Sequence, residues 1–291
     1  MKYLVTGING TVGGNIFRRL ADLDTNEVWG ISKSTYQFEN TLTLAAKSRV
    51  KKVNLIYPNE LKKCLPDFFD VLIHAAAVTP CYKDDKSDFL NNPLMAKTVT
   101  QYINEIDCGL TFYISTGSVY SINQRICSEE SETNPEGEYG KSMIDAENVF
   151  KSNIKKLKIL RIFYPYSFDI LTKDNNLISK LKARIRNGEP IQLNSRANSN
   201  FINPFFMNDL IMVINALTNE SNVNYLYNVA GPTKFSFMEM IKEISITVKK
   251  EAIIKLDDEI PDPMFADVTK LNNVINESKF TKFSTGLKYK Q

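Results

Sequence analysis

The chain has one histidine among its 291 residues, which excludes metal centres built on several histidines. Its four cysteines are spaced too irregularly for a zinc motif or a disulfide framework, so no metal is expected. Long apolar runs are missing too: none approaches the roughly 18 residues that span a bilayer, and no membrane partner is expected. The first residues lack a basic leader followed by a hydrophobic stretch and a cleavage site, and with few cysteines this points to a reduced, cytoplasmic setting. Charge of one sign is also scarce. Lys plus Arg exceed Asp plus Glu by 36 − 33 = 3, too small a surplus for a nucleic-acid surface. What remains, 43% hydrophobic and 24% charged, is the balance of a globular protein with material for one large α/β domain or a large domain with a smaller companion.

The first motif stands at the start. Lys2 to Thr6 is a short apolar run that ends in TGINGTVGG and continues as NIFRRLADL, which reads as strand, glycine turn and helix. Gly7, Gly10 and Gly13 repeat as G-x-x-G-x-x-G, the requirement of a tight turn that brings backbone close to a pyrophosphate at a helix N-terminus. A second strand, Glu27 to Ile31, ends in Ser32, Lys33 and Ser34. An NAD site commonly carries an acid about 20 residues past the glycines. Hydroxyls and a cation here would accommodate a 2′-phosphate, so NADP (NADPH) is favoured, with NAD as the other option.

Further strands are expected at Val53 to Ile56, Asp70 to Val78, Leu110 to Thr116 and Leu157 to Phe163, separated by helical material at Glu60 to Cys64, Ala96 to Glu105 and Tyr139 to Phe150. Repeated βα alternation argues for a mostly parallel sheet covered on both faces. After Pro165, Leu177 to Gly188 reads as a cationic amphipathic helix with a glycine stop, and Phe237 to Ile244 as a later helix. His74 ends an apolar strand and is expected to be packed or backbone-bonded rather than a base.

In order along the chain, TGINGTVG, HAAA (His74 to Ala77), Asn92, STGSVYS (Ser115 to Ser121), YGKSMIDAE (Tyr139 to Glu147), LRIFYPYS (Leu160 to Ser167), NGEPIQL, MNDL and YNVAG resemble the extended short-chain dehydrogenase/reductase superfamily, in its NAD(P)-dependent nucleotide-sugar epimerase, dehydratase and reductase branch. The resemblance implies an α/β fold: a Rossmann-type doubly wound parallel sheet with a smaller, mixed α/β C-terminal substrate lobe. Residues 1–165 would form the NAD(P)-binding domain, completed by 225–230, and 166–291 would mainly bind substrate. It implies cofactor contacts from Gly7, Asn9, Gly10, Thr11, Val12, Gly13, Ser32, Lys33, Ala75, Ala76, Ala77, Asn92, Tyr139 and Tyr164, and substrate contacts from Thr79, Tyr120 and Arg196. Thr116 would orient the reacting oxygen and Tyr139 would transfer its proton, since hydride transfer to a carbonyl creates an alkoxide that needs a donor. A homodimer is expected by the same analogy.

The family places a lysine four residues after that tyrosine, where Met143 stands in this chain, and Lys141 is off that helix face. Presenting a tyrosine phenolate near pH 7 costs about 4 kcal/mol without help. On that ground the leading expectation is an NADP-dependent reductase of a keto nucleotide sugar, with Met143 replacing the lysine and activity in question. The alternatives are a nucleotide-sugar 4-epimerase and a degenerate, noncatalytic NAD(P)-binding regulatory or scaffold protein. Dehydratases carry Asp-Glu after the threonine; Gly117 and Ser118 here disfavour dehydration.

Overall fold

In the computed structural model, residues 1–36, 43–80, 86–167, 176–220 and 225–289 are described. Seven strands form one sheet: β1 (Lys2–Thr6), β2 (Glu27–Ser32), β3 (Val50–Lys52), β4 (Phe68–His74), β5 (Asp107–Thr116), β6 (Leu157–Ile162) and β7 (Leu226–Val229). Their spatial order is β7-β6-β5-β4-β1-β2-β3 and every pairing is parallel. The chain builds outward from β1 through β2 to β3, then returns to the other side of β1 and proceeds through β4. That reversal places a crevice between the carboxyl ends of β1 and β4, where open α/β sheets bind ligands.

The apolar runs become strands because both sheet faces are covered. Helices α2 (Asn91–Asn104) and α3 (Glu138–Asn153) pack on each other and enclose a core with Leu72, Tyr113, Phe150 and Ile159. On the opposite face α1 (Thr11–Ala21) lies against α5 (Leu210–Thr218) over Val5, Ile73, Phe112 and Leu160. His74, at the end of β4, packs against Tyr113 and Phe150.

The C-terminal lobe is a mixed α/β body around α4 (Leu177–Asn187) and α6 (Phe237–Val248), whose facing residues include Ile178, Leu181, Ile185, Met240, Ile241 and Ile244. Local chemistry sets their ends. Asn176 caps α4, which stops at Gly188 in the left-handed conformation (φ 72°), and α6 opens on a capping box of Ser236 and Glu239. Two-residue ribbons, Ile126–Cys127 with Phe265–Ala266 and Pro165–Tyr166 with Phe205–Phe206, tie lobe to sheet.

Two expectations shift. The strand expected at Val53 to Ile56 lies at Val50–Lys52, because the Tyr57 N–H turns back to the Asn54 carbonyl. The helix expected at Glu60 to Cys64 is a run of turns.

Candidate active site

The glycine turn is shaped by close backbone approaches. Gly7 has φ 75°, and a Cβ there would fall 2.7 Å from Ala76 Cα; one on Gly13 would fall 2.5 Å from the Gly7 carbonyl oxygen. Gly10 is the N-cap of α1 and supplies no side-chain cap, leaving the first helical N–H groups for a ligand. Thr6 fixes the turn against the next segment. Its Oγ1 accepts the Ala75 and Ala76 N–H groups, each at 3.2 Å, and so donates its single hydrogen to His74 Nδ1 at 2.9 Å. Nδ1 is therefore the acceptor and the ring proton sits on Nε2. Burial drives the His74 pKa down to about 3, and the ring is neutral.

Two cavities meet at this turn. One, of about 220 Å³, is lined by Gly7, Asn9, Ser32, Lys33, Asn54 and Ala76. The other, of about 360 Å³, is lined by Thr11, Val12, Thr79, Thr116, Tyr139 and Met143. Gly10, Ala75 and Ala77 line both. The glycine turn and the alanine segment thus form the shared wall of an elongated site, and the cradle fits a dinucleotide: an anion at the head of α1 with a compartment on either side.

Thr116 and Tyr139 reach the larger cavity from separate elements. Thr116 ends β5, and its Oγ1 accepts the Ser118 N–H at 3.2 Å and lies 3.3 Å from Ser118 Oγ. Tyr139 stands in the first turn of α3 and its ring packs beside Phe89. Asn92 braces the same region: it accepts the Val78 N–H at 2.7 Å, donates to the Val78 carbonyl at 3.1 Å and donates to Ser142 Oγ at 3.0 Å. Its polar atoms are committed to protein, so it shapes the site as a strut.

Three residues expected to touch ligand are not in the lining of these two cavities. The Tyr120 hydroxyl donates to Asn228 Oδ1 at 2.7 Å beneath the Arg161 guanidinium, and burial pushes its pKa up to about 12. Tyr164, in the left-handed region (φ 42°), accepts the Met264 N–H at 2.8 Å and lines a separate C-terminal cavity of about 300 Å³. Arg196 is half-exposed and paired with Asp262, which lines that C-terminal cavity.

The sequence reading missed a buried polar network below Tyr139. Glu147 accepts Ser115 Oγ at 2.6 Å, Arg161 Nε at 2.9 Å and Nη2 at 2.7 Å, and Lys151 Nζ at 3.1 Å. Burial raises its pKa, but the Arg161 bonds and charge outweigh this and the net shift is downward. An arginine in the apolar run LKILRIF was the available signal, since a buried guanidinium requires a carboxylate.

The expectation that Met143 replaces the usual active-site lysine is corrected. A buried lysine is present: Lys158 on β6, its side chain 7% exposed, with Nζ 2.9 Å from Glu220 Oε2 and above the Tyr227 ring. It comes from a strand, in register with Phe112 and four residues before cavity-lining Ile162, so spacing along the Tyr139 helix could not reveal it. Met143 itself is a core residue whose Sδ accepts the Tyr113 hydroxyl at 3.5 Å.

The sequence profile of the NAD dependent epimerase/dehydratase family matches residues 3–230. The chain belongs to that family. No curated protein matches it in sequence. Among solved structures it is similar to UDP-glucuronic acid 4-epimerase from Bacillus cereus in complex with NAD, at 22% identity over 99% of this chain and 94% of that one, TM-score 0.81. It is similar to MoeE5 in complex with UDP-glucuronic acid and NAD (19% identity, 99% and 96% covered, TM-score 0.78). A third is UDP-glucose 4-epimerase from Thermotoga maritima with UDP-glucose (17% identity, 99% and 96% covered, TM-score 0.79). Where these family structures hold a nicotinamide cofactor it is NAD, which overturns the expectation of NADP. The geometry gives a reason: Asn9 Nδ2 lies 2.6 Å from Ser32 Oγ and 2.9 Å from Ser34 Oγ, so the glycine turn itself engages the hydroxyls read as phosphate ligands. Among the described residues no helix is long and apolar enough to cross a membrane, and no group of three His, Cys, Asp or Glu could hold a metal.

Proposed function

We propose that this protein is an NAD-dependent 4-epimerase of a nucleotide sugar. The observation that carries the reading is the meeting of Thr116, Ser118 and Tyr139 in one cavity that shares its wall, Gly10, Ala75 and Ala77, with the compartment beneath the glycine turn. The glycine turn and the head of α1 would hold the pyrophosphate, with Ser32, Lys33 and Asn54 on the adenosine side. NAD supplies a hydride acceptor that later returns the hydride.

Tyr139 Oη would take the proton of the sugar hydroxyl and give it back to the carbonyl oxygen after the sugar presents its other face. Thr116 Oγ1, placed by the Ser118 N–H, would hold that oxygen in line. The reaction needs no second protein acid, which agrees with Gly117 and Ser118 after Thr116 and separates this reading from dehydration. The similar 4-epimerases favour it over reduction alone. Residues 1–165, with the 225–230 return, are the cofactor part of this proposal, and 166–291 mainly the sugar-nucleotide part.

The test is a panel of UDP-hexoses and UDP-uronic acids incubated with NAD, with the 4-epimer read by proton NMR. Epimer formation by the parent, and its loss in Tyr139→Phe with NAD affinity retained, are expected. No epimer from any sugar at saturating NAD, or full activity in Tyr139→Phe, would refute it.

A further inference from the structure

Tyr139, Met143, Glu147 and Lys151 recur every four residues and so share one face of α3, running from the cavity to the outside. The first two line the cavity; Glu147 is fully buried; Lys151 is partly exposed and closes the row with its bond to Glu147. Across from this row, Ser115 and Arg161 are register partners on β5 and β6. Glu147 binds both, and Ser115 directly precedes Thr116. One carboxylate therefore joins the helix that carries Tyr139 to the strand that carries Thr116, two turns below the reacting groups.

We propose that Glu147 and Ser115 are positioning residues that set the separation of Tyr139 and Thr116. Ser115 lines the cavity, yet its hydroxyl hydrogen is committed to Glu147, so toward a ligand it offers only lone pairs. Arg161 holds the carboxylate by two bonds and is itself capped by the Tyr120 ring, so the anchor end is rigid, and Ser115 is the bond from this carboxylate to the residue beside Thr116; Met143 and Phe150 join the same helix to the strand further back, at Tyr113. A helix free to shift relative to β5 would move Tyr139 against Thr116 without disturbing the glycine turn, which is built from β1 and α1. Displacements of about 1 Å in reacting geometry cost up to about 100-fold in rate.

This inference rests on the proposed roles of Tyr139 and Thr116, and the test separates the two. Ser115→Ala removes the link but leaves the Glu147–Arg161 ion pair, so the fold is retained and Tm falls only modestly. Expected are a kcat lower by about tenfold, with KM and the NAD Kd within about twofold of the parent, recovery in Ser115→Thr, and faster amide exchange over residues 138–142. Parental kcat in Ser115→Ala, alongside inactive Tyr139→Phe, would overturn the tether and leave the function standing. Parental exchange over residues 138–142 would overturn the tether whatever the turnover. Activity retained in Tyr139→Phe would overturn the function instead.

Discussion

Acidification should destabilise this protein through its one histidine. His74 is 1% exposed, its Nδ1 receives the Thr6 hydroxyl hydrogen, and Thr6 Oγ1 already accepts two backbone N–H groups. A proton added at Nδ1 would face a saturated oxygen in a site shut off from bulk solvent. The folded ring binds its proton only near pH 3, whereas an unfolded histidine does so near 6.5. Between those values the unfolded chain takes up a proton that the native state refuses. The stabilisation is complete above about pH 6.5 and is lost as pH falls toward 3, about 5 kcal/mol in full and about 2.5 kcal/mol between pH 7 and 4.5. Urea unfolding at both pH values, for the parent and for His74→Gln, isolates the effect because carboxylate contributions are common to both. The variant should be less stable at pH 7 yet lose about 2.5 kcal/mol less on acidification. With one histidine, the imidazole resonance is unambiguous by NMR. A native-state ring that titrates with a midpoint above pH 5, or equal losses in parent and variant, would refute the reasoning.

Other perturbations follow from the same contacts. Gly13→Ala would drive a Cβ into the Gly7 carbonyl, a backbone atom with no room to yield, and calorimetry should show NAD binding weakened by at least about tenfold. Asn92→Ala strands the Val78 N–H and the Ser142 hydroxyl partner, so urea unfolding should register a loss of about 2–4 kcal/mol. Lys158→Met removes the ammonium that lies 2.9 Å from the largely buried Glu220 carboxylate. A loss of about 3–5 kcal/mol is expected, most of it recovered when Glu220 is also made Gln.

Local patterns were legible in the sequence, and distant pairings were not. The strands at Lys2, Glu27, Asp70, Leu110 and Leu157 announce themselves because both sheet faces are covered and the runs are apolar throughout. Gly7, Thr116 and Tyr139 stand at ends of such elements, so the sequence indicates their place. The protein partners of Tyr120, Tyr164 and Arg196 are invisible in the sequence: Asn228, Met264 and Asp262 lie 108, 100 and 66 residues away. The same distance hid the Lys158 pairing with Glu220 and the role of Glu147, whose carboxylate is explained only when β5 and β6 are side by side. The preference for NADP failed for a nearer reason: a side-chain contact within one loop cluster, Asn9 with Ser32 and Ser34, leaves no trace in composition.

The last strand of the sheet also has a consequence for how the molecule is made. β7 pairs with β6, but residues 163–225 are synthesised between them. While that stretch emerges from the ribosome, β6, buried at every position in the finished protein, presents an open row of backbone donors and acceptors. Synthesis therefore passes through an interval in which an unfinished sheet offers its most apolar edge to other chains, a hazard for aggregation that ends when Tyr227 docks.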